Sequence, residues 1–387
     1  MKRLTLLWSL PLALAALTGC NEGFPDEEMH LGLDAKVRPY AVVIEPAEAA
    51  PGETVQVTLL ARAPQPDELD VTWRVALDYD LGLYETDEIE RNTRSLAVPS
   101  PTADADGLLR QTFAWVVPDS ALLYASALPA VLTDPALVAL AGGLLGPAAG
   151  AAPSSAAVDA WLKALTPADL AAMDPSTRAA AWALADRFAC QVRFRATLRT
   201  GQIVEVTRNL TIRHTGRLGG PNLNHNAEVL DFAVAAVKKR DATRFDLDDP
   251  GVPRTWYRFI DTDGTRLADQ VQVPLHEDWT YYLAVGFRAE QYGSPFDPNQ
   301  VVTELGDYHW YYYRPARPAS DHEFFASDDG TPAEMWNLGR RARIMPDGAG
   351  SAFRVVIAVR DERADWVQYH AVPGTGVAEG IVEFVTP

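Results

Sequence analysis

The chain has 387 residues, with 34 Lys and Arg against 52 Asp and Glu, a formal net charge of −18. A surface this acidic repels phosphate backbones, which excludes nucleic acid as an expected partner. Hydrophobic residues make up 48% of the sequence, enough for sizeable cores, and the length suggests roughly two to three domains.

The first twenty residues fall into three zones. Lys2 and Arg3 are basic, Leu4 to Leu17 is apolar, and the small residues Thr18 and Gly19 precede Cys20. That order is the plan of a secretory signal. The apolar zone contains Pro11 and falls short of the ~20 residues a spanning helix needs. Leu17-Thr18-Gly19-Cys20 resembles the lipobox of bacterial lipoproteins. The resemblance implies a signal peptide over 1–19, cleavage before Cys20, and lipid carried as a thioether on its sulfur. The family's modified cysteine bears two or three acyl chains, and lasting anchoring takes two or more hydrophobic signals. Asn21, where an Asp would favour the inner membrane, points to the outer one. The expected location is the bacterial cell envelope, on the periplasmic face or the cell surface, with the membrane reached through the N-terminal lipid. Cleavage would remove Lys2 and Arg3 and no acid, leaving 32 basic against 52 acidic side chains.

Only two cysteines occur, and lipid would consume Cys20, so Cys190 has no partner within the chain. Without disulfides, stability rests on the hydrophobic cores.

After Cys20, residues 20–36 are polar and acidic and form a spacer. Strand signals then fill a first region, 37–213. Ala41 to Glu45 is apolar and β-branched, and Pro51-Gly52 is a turn. Val55, Val57 and Leu59 alternate with polar residues, as do Val71, Trp73 and Val75. Leu109, Phe113, Trp115 and Val117 continue the pattern, broken by Gln111. The clearest strand is Cys190, Val192, Phe194, Ala196 and Leu198 on one face, with Gln191, Arg193, Arg195, Thr197 and Arg199 on the other. Such alternation predicts one buried and one solvated face, and a buried Cys190. Thr200-Gly201 is a turn, and Ile203 to Ile212 the next strand.

Between these strands lies an Ala- and Leu-rich stretch, 119–188, with helix starts at Ser154 or Ser155, at Thr166-Pro167-Ala168-Asp169 and at Asp174-Pro175. It reads as an all-helical insertion whose ends lie close together, separable from the strands around it. Its uncharged part, 135–152, is interrupted by Pro135, Pro147 and glycines, which disfavours a membrane span. The Gly-rich stretch 214–227 reads as a linker. A second β-rich region covers 228–387, with strand candidates at 228–234, 256–260, 270–274, 279–287, 307–313, 353–360, 366–369 and 381–385.

The segment Pro51 to Leu59 resembles an early strand of bacterial immunoglobulin-like domains, and 190–212 resembles their closing hairpin. Phe353 to Val359, with Arg360-Asp361-Glu362-Arg363 and Trp366, resembles the same hairpin again. The resemblance implies a mainly β protein of two immunoglobulin-like β-sandwiches in series, the first carrying the helical insertion. The cysteine pair that joins the sheets in many such domains is missing.

Catalytic patterns are sparse. No Gly-x-Ser-x-Gly elbow occurs, the seven histidines are scattered, and Asp321-His322-Glu323 is a weak metal hint. Asp261-Thr262-Asp263-Gly264, near Asp246, Asp248 and Asp249, is a weak candidate for structural calcium. Ala268 and Val273 stand where a twelve-residue loop would place acids, and the alternative is an Asp-Gly hairpin turn. The acidic stretch Glu85 to Glu90 could supply the paired carboxylates of a glycosidase but reads as a solvated loop. The oddest feature is aromatic: Tyr308, Trp310 and Tyr312 fall on one face of a strand, His309, Tyr311 and Tyr313 on the other, and Trp279 opens a similar segment. Rings on both faces leave one set facing something besides a core, which makes them a candidate ligand platform.

The expected function is a non-enzymatic binding or structural module of the envelope with a glycan or protein ligand. The alternative is an envelope hydrolase or carbohydrate-active enzyme with its site between insertion and sandwich.

Overall fold

A computed structural model describes residues 37–63, 66–81, 88–104, 107–119, 132, 134–146, 153–200, 202–220, 223–242, 249–293, 301–313, 325–326, 340–344, 346, 348–362 and 374–387. The protein is mainly β. In the first unit the strands are β1 (Arg38–Glu45), β2 (Glu48–Ala49), β3 (Thr54–Arg62), β4 (Asp70–Leu81), β5 (Glu88–Leu96), β6 (Thr102–Ala103), β7 (Leu108–Val116), β8 (Cys190–Thr200) and β9 (Gln202–Ile212). They form two sheets, ordered β1-β3-β7-β6 and β2-β9-β8-β4-β5. Alternate residues of both sheets meet in one core: Val55, Val57 and Leu59 from one side, Trp73, Val192 and Phe194 from the other. Gln111, which breaks the apolar pattern of β7, is buried because its Oε1 accepts the Trp73 indole N–H at 2.7 Å across the core.

Between β7 and β8 stand α1 (Pro135–Leu145), α2 (Ser155–Ala164), α3 (Pro167–Ala172) and α4 (Pro175–Arg187). Their starts follow the local chemistry of the sequence. Ser154 caps α2, Thr166 and Asp169 form a capping box on α3, and Asp174 accepts from the backbone of Ser176 and Thr177 at α4. Hydrogen bonds from the Ser176 and Thr177 side chains, with those from the backbone, hold the Asp174 carboxyl well below the usual carboxylate range. The helices have no separate core. Leu162, Leu184 and Phe188 lie in the same apolar cluster as Val117, Cys190 and Ile212, so the expected separability is corrected: lifting the helices away would uncover strand residues.

A second correction concerns β8. Its supposedly solvated face is largely buried at Gln191, Arg193 and Thr197. The Arg193 guanidinium lies 3.7 Å over the Tyr79 ring and donates to Tyr79 Oη and Asn209 Oδ1, so pairing rather than water satisfies it. Arg195 is held by Glu90 and Glu205, at 2.7 and 2.8 Å.

The Gly-rich stretch read as a linker is packed against the first unit. It holds α5 (Thr215–Leu218), and His214, Thr215, Leu218 and Asn224 are buried. Arg217 donates to the carbonyls of Leu162 and Leu165, closing the C-terminus of α2.

The second unit comprises β10 (Glu228–Lys238), the one-turn helix α6 (Lys239–Ala242), β11 (Arg254–Arg258), β12 (Gln270–Pro274), β13 (Trp279–Arg288), β14 (Gln291–Gly293), β15 (Val301–Thr303), β16 (Leu305–Tyr313), β17 (Phe325–Ala326), β18 (Arg341–Ile344), β19 (Ala352–Glu362) and β20 (Thr375–Val385). Its sheets run β11-β10-β13-β18-β17 and β12-β20-β19-β16, with β14 and β15 as a separate ribbon. Phe232, Val234, Tyr281 and Leu283 meet Trp310, Phe353, Ile357 and Phe384 in its core. The two units repeat one plan. In each, a short strand pairs parallel with the last strand, β2 with β9 and β12 with β20.

The units are clasped along a sheet face. Tyr40, Ala41, Leu60 and Leu108 of the first form an apolar cluster with Val356 and Ala358 of the second, with Tyr311 and Val377 packed against it. Asn226 stitches the joint, donating to the Ile44 carbonyl at 2.8 Å and accepting from the Thr375 N–H at 2.9 Å. Gly376 permits this closeness, since a Cβ there would stand 1.8 Å from the Ala227 carbonyl oxygen. Among the described residues, no helix is long and apolar enough to cross a membrane.

Candidate functional site

In the aromatic strand β16 the Tyr308 and Trp310 side chains are buried, which corrects the reading of these two rings as an exposed platform. Trp310 is fully buried near Phe232, and Tyr308 is buried edge-on to Phe287. On the other face Tyr311 stacks on Tyr40 of the first unit, with ring centroids 4.6 Å apart. Tyr308 and Trp310 thus meet the core of their own unit, while Tyr311 meets the neighbouring unit. Tyr312 and Tyr313 pair through their backbones with Val355 and Arg354, and their side chains lie outside the described residues. Trp279 is half-buried at the rim of the core, stacked on His276.

The Asp261–Gly264 segment is a tight turn. Gly264, at φ +88°, donates to the Asp261 carbonyl, and Asp261 N donates to the Thr265 carbonyl. The carboxylates serve the turn itself: Asp261 accepts from Thr262 N and Asp263 from Thr265 N, each at 2.8 Å. Those bonds from Thr265 hold the Asp263 carboxyl below its ordinary range. Asp249 accepts from Gly251 N, while Asp246, Asp248 and Asp321-His322-Glu323 lie outside the described residues. Among the described residues, no group of three or more His, Cys, Asp or Glu side chains could hold a metal ion.

Of the acidic stretch, Glu85 to Asp87 lies outside the described residues, and Glu90 is committed to Arg195. Cys20, with the whole leader, is also outside them. Cys190 is buried, as the alternation of its strand predicts.

A feature that sequence reasoning missed is a cleft of about 510 Å³ between the units. Val43, Leu60, Val377 and Ala378 give it apolar walls, and Arg110, Arg266 and Glu379 its charge. These charges are already matched: Arg110 reaches Glu379 at 3.0 Å, and Arg266 forks onto Asp269 at 3.1 and 2.8 Å. The cleft therefore presents one carboxylate, neutralised by an arginine, rather than a converging pair. No local signal could have revealed it, because its residues come from five separated segments of the chain.

A second missed feature is the face of the β11-β10-β13-β18 sheet turned away from the core, where Ala235, Val237, Val252 and Tyr282 form a small buried apolar cluster. The register places Arg254, Trp256 and Arg258 of β11 on the same face as Ala233, Ala235 and Val237 of β10. Tyr282 and Ala284 of β13 continue that face, opposite Arg343 and Arg341 of β18. The guanidinium carbons of Arg254 and Arg258 lie 5.7 and 5.1 Å from the Trp256 ring centroid, and that of Arg341 lies 6.0 Å from Tyr282.

No protein family matches the chain, and no curated protein matches it. Among solved structures, it is similar to domains EC1-3 of mouse clustered PcdhgC3, at 11% identity and a TM-score of 0.17, covering 91% of this chain and 69% of that one. It is also similar to the three N-terminal domains of the bacteriophage RB49 highly immunogenic outer capsid protein, at 8% identity and a TM-score of 0.17, covering 91% and 100% of the two chains.

Proposed function

We propose that the protein is an exported lipoprotein, tethered through lipid on Cys20, whose two immunoglobulin-like β-sandwiches form a non-enzymatic binding or spacing module of the bacterial envelope, at the outer membrane. The observation that carries this reading is the leader, in which a basic start, an apolar stretch and Leu17-Thr18-Gly19-Cys20 follow in order. The strand plan supports the domain type: β1-β3-β7-β6 over β9-β8-β4-β5 follows the ABED and GFC sheets of immunoglobulin domains, with β5 as the extra edge strand. The second unit follows it with β10-β13-β18-β17 over β20-β19-β16. Two clasped units on a lipid tether hold a surface at a set distance and orientation from the membrane, which suits binding rather than turnover. In the native host, Cys20→Ala should lose its acyl label and leave the membrane fraction. Retention of that variant after a high-salt wash would place the tether elsewhere and overturn the reading.

A further inference from the structure

We propose that the cleft between the units binds a small aliphatic monocarboxylate, its carboxylate held by Arg110 and Arg266 and its chain laid on Val43, Leu60 and Val377. This gives the envelope binding module a ligand class and rests on that reading. The cleft is the open margin of the joint. Val43 pairs with Thr58 across β1 and β3, and Leu60 with Arg110 across β3 and β7. These side chains alternate with the core residues Ile44, Val57 and Leu59, so they share the sheet face turned away from the first core. Val377 pairs with Ala358 and Glu379 with Val356, which places them on the face of β20 that meets the first unit. Ile260, Gly264 and Arg266 add the turn that follows β11. The space of about 510 Å³ falls within the ~300–1,000 Å³ range of small-molecule sites, which favour domain joints.

The lining selects the ligand. Arg110 gives Glu379 one bond, from Nη2, and Arg266 gives Asp269 two, from Nε and Nη2. A guanidinium carries five N–H donors, so each arginine keeps donors for a further acceptor. A ligand carboxylate accepts them in charge-assisted bonds. The Asp269 side chain is 93% exposed, and an ion pair this wet contributes little, so a ligand carboxylate competes with it. Glu379 is engaged by both Arg110 and Arg354, at 3.0 and 3.8 Å, and would repel a second carboxylate on the ligand. Val43, Leu60, Ile260, Val377 and Ala378 are all aliphatic, and Thr58 is the one hydroxyl of the lining. A run of methylenes gains by leaving water for such walls, whereas the hydroxyls of a sugar would go unmatched there.

The test is calorimetric titration of the full chain, held in lipid nanodiscs, with hexanoate, the heats corrected against empty nanodiscs. Hexanol carries the same chain without the charge, acetate the charge without the chain, and hexylamine the opposite charge. Saturable binding is expected for hexanoate, with the other three weaker by roughly tenfold or more. Arg110→Gln and Arg266→Gln should each weaken hexanoate binding roughly tenfold. Arg266→Gln breaks only an exposed pair, so it serves if Arg110→Gln loses its thermal transition. Thr58→Trp, which fills the cleft without removing a charge, should abolish binding. Absence of hexanoate binding, or unchanged affinity in Arg266→Gln or in folded Thr58→Trp, overturns the proposal. Equal affinity for hexanol or hexylamine overturns the choice of a carboxylate. Each failure leaves the anchored-module reading standing, since that reading falls on the fate of Cys20→Ala in the membrane fraction.

Discussion

Cys190 lies in the core of the first unit, its thiol pushed above the ordinary cysteine range first by burial and then by the negative charge of Asp78. In the unfolded chain the thiol ionises near ~8.5, so folding favours the protonated form. The contribution is present in full below that pH and is lost as pH rises above it, by up to ~1.4 kcal/mol per pH unit. Cys190→Ala should therefore flatten the loss of thermal stability above pH ~9, and a water-soluble maleimide should label the native protein slowly. Fast labelling would contradict the burial. Trp310 makes the complementary case. It is fully buried, so Trp310→Ala should cost about 3–5 kcal/mol in urea unfolding, whereas a ring on an open platform would cost little.

Helices and sheet of the first unit are tied by charge as well as by apolar contact. Arg213, just beyond β9, forks onto Glu48 of β2 at 2.8 and 2.5 Å, and both side chains are buried. Asp186 of α4 stands 3.9 Å from Arg213 and accepts the Thr215 hydroxyl at 2.8 Å. His214 reaches Asp159 of α2 at 3.2 Å. A buried pair contributes little over an apolar substitute, but breaking one strands a charge. Glu48→Ala should thus destabilise the first unit by about 3–5 kcal/mol, read as a lower urea midpoint. An exposed pair such as Arg288 with Glu228 should contribute less than about 1 kcal/mol. Equal costs for the two would show that the joint is wetter than its geometry.

Strand β19 shows at the scale of the molecule why its sequence is apolar on both faces. Phe353, Val355 and Ile357 fill the core of the second unit, while Val356 and Ala358 press against Tyr40, Ala41 and Leu60 of the first. Ion pairs flank that contact, Arg110 with Glu379 and Arg354 with Asp104. Ala358→Glu would bury a carboxylate between the units, where it cannot be solvated. The wild-type chain should unfold in one transition. The variant should show two, with a larger radius of gyration by small-angle scattering. A single unshifted transition and an unchanged radius would mean that the Ala358 contact does not hold the units together.

The sequence by itself determined the strands and caps whose signals are local. The alternation of β8, β12 read to its termini, the Asp-Gly turn and the cap residues Ser154, Thr166 and Asp174 depend on neighbours a few residues away. It missed β18, whose Arg-Ala-Arg-Ile is too short to show a period, and β5, whose Glu, Arg and Asn look like loop. Only the tertiary structure decided what each face meets. Arg193 of β8 is buried because Tyr79 and Asn209 stand beside it, and Tyr311 of β16 is partly covered because Tyr40 of the first unit packs on it. The helical stretch was legible as helices, yet its membership of the first core was not. Periodicity along a strand records that a side chain is covered, but not by what, since the covering groups come from segments brought together only by folding.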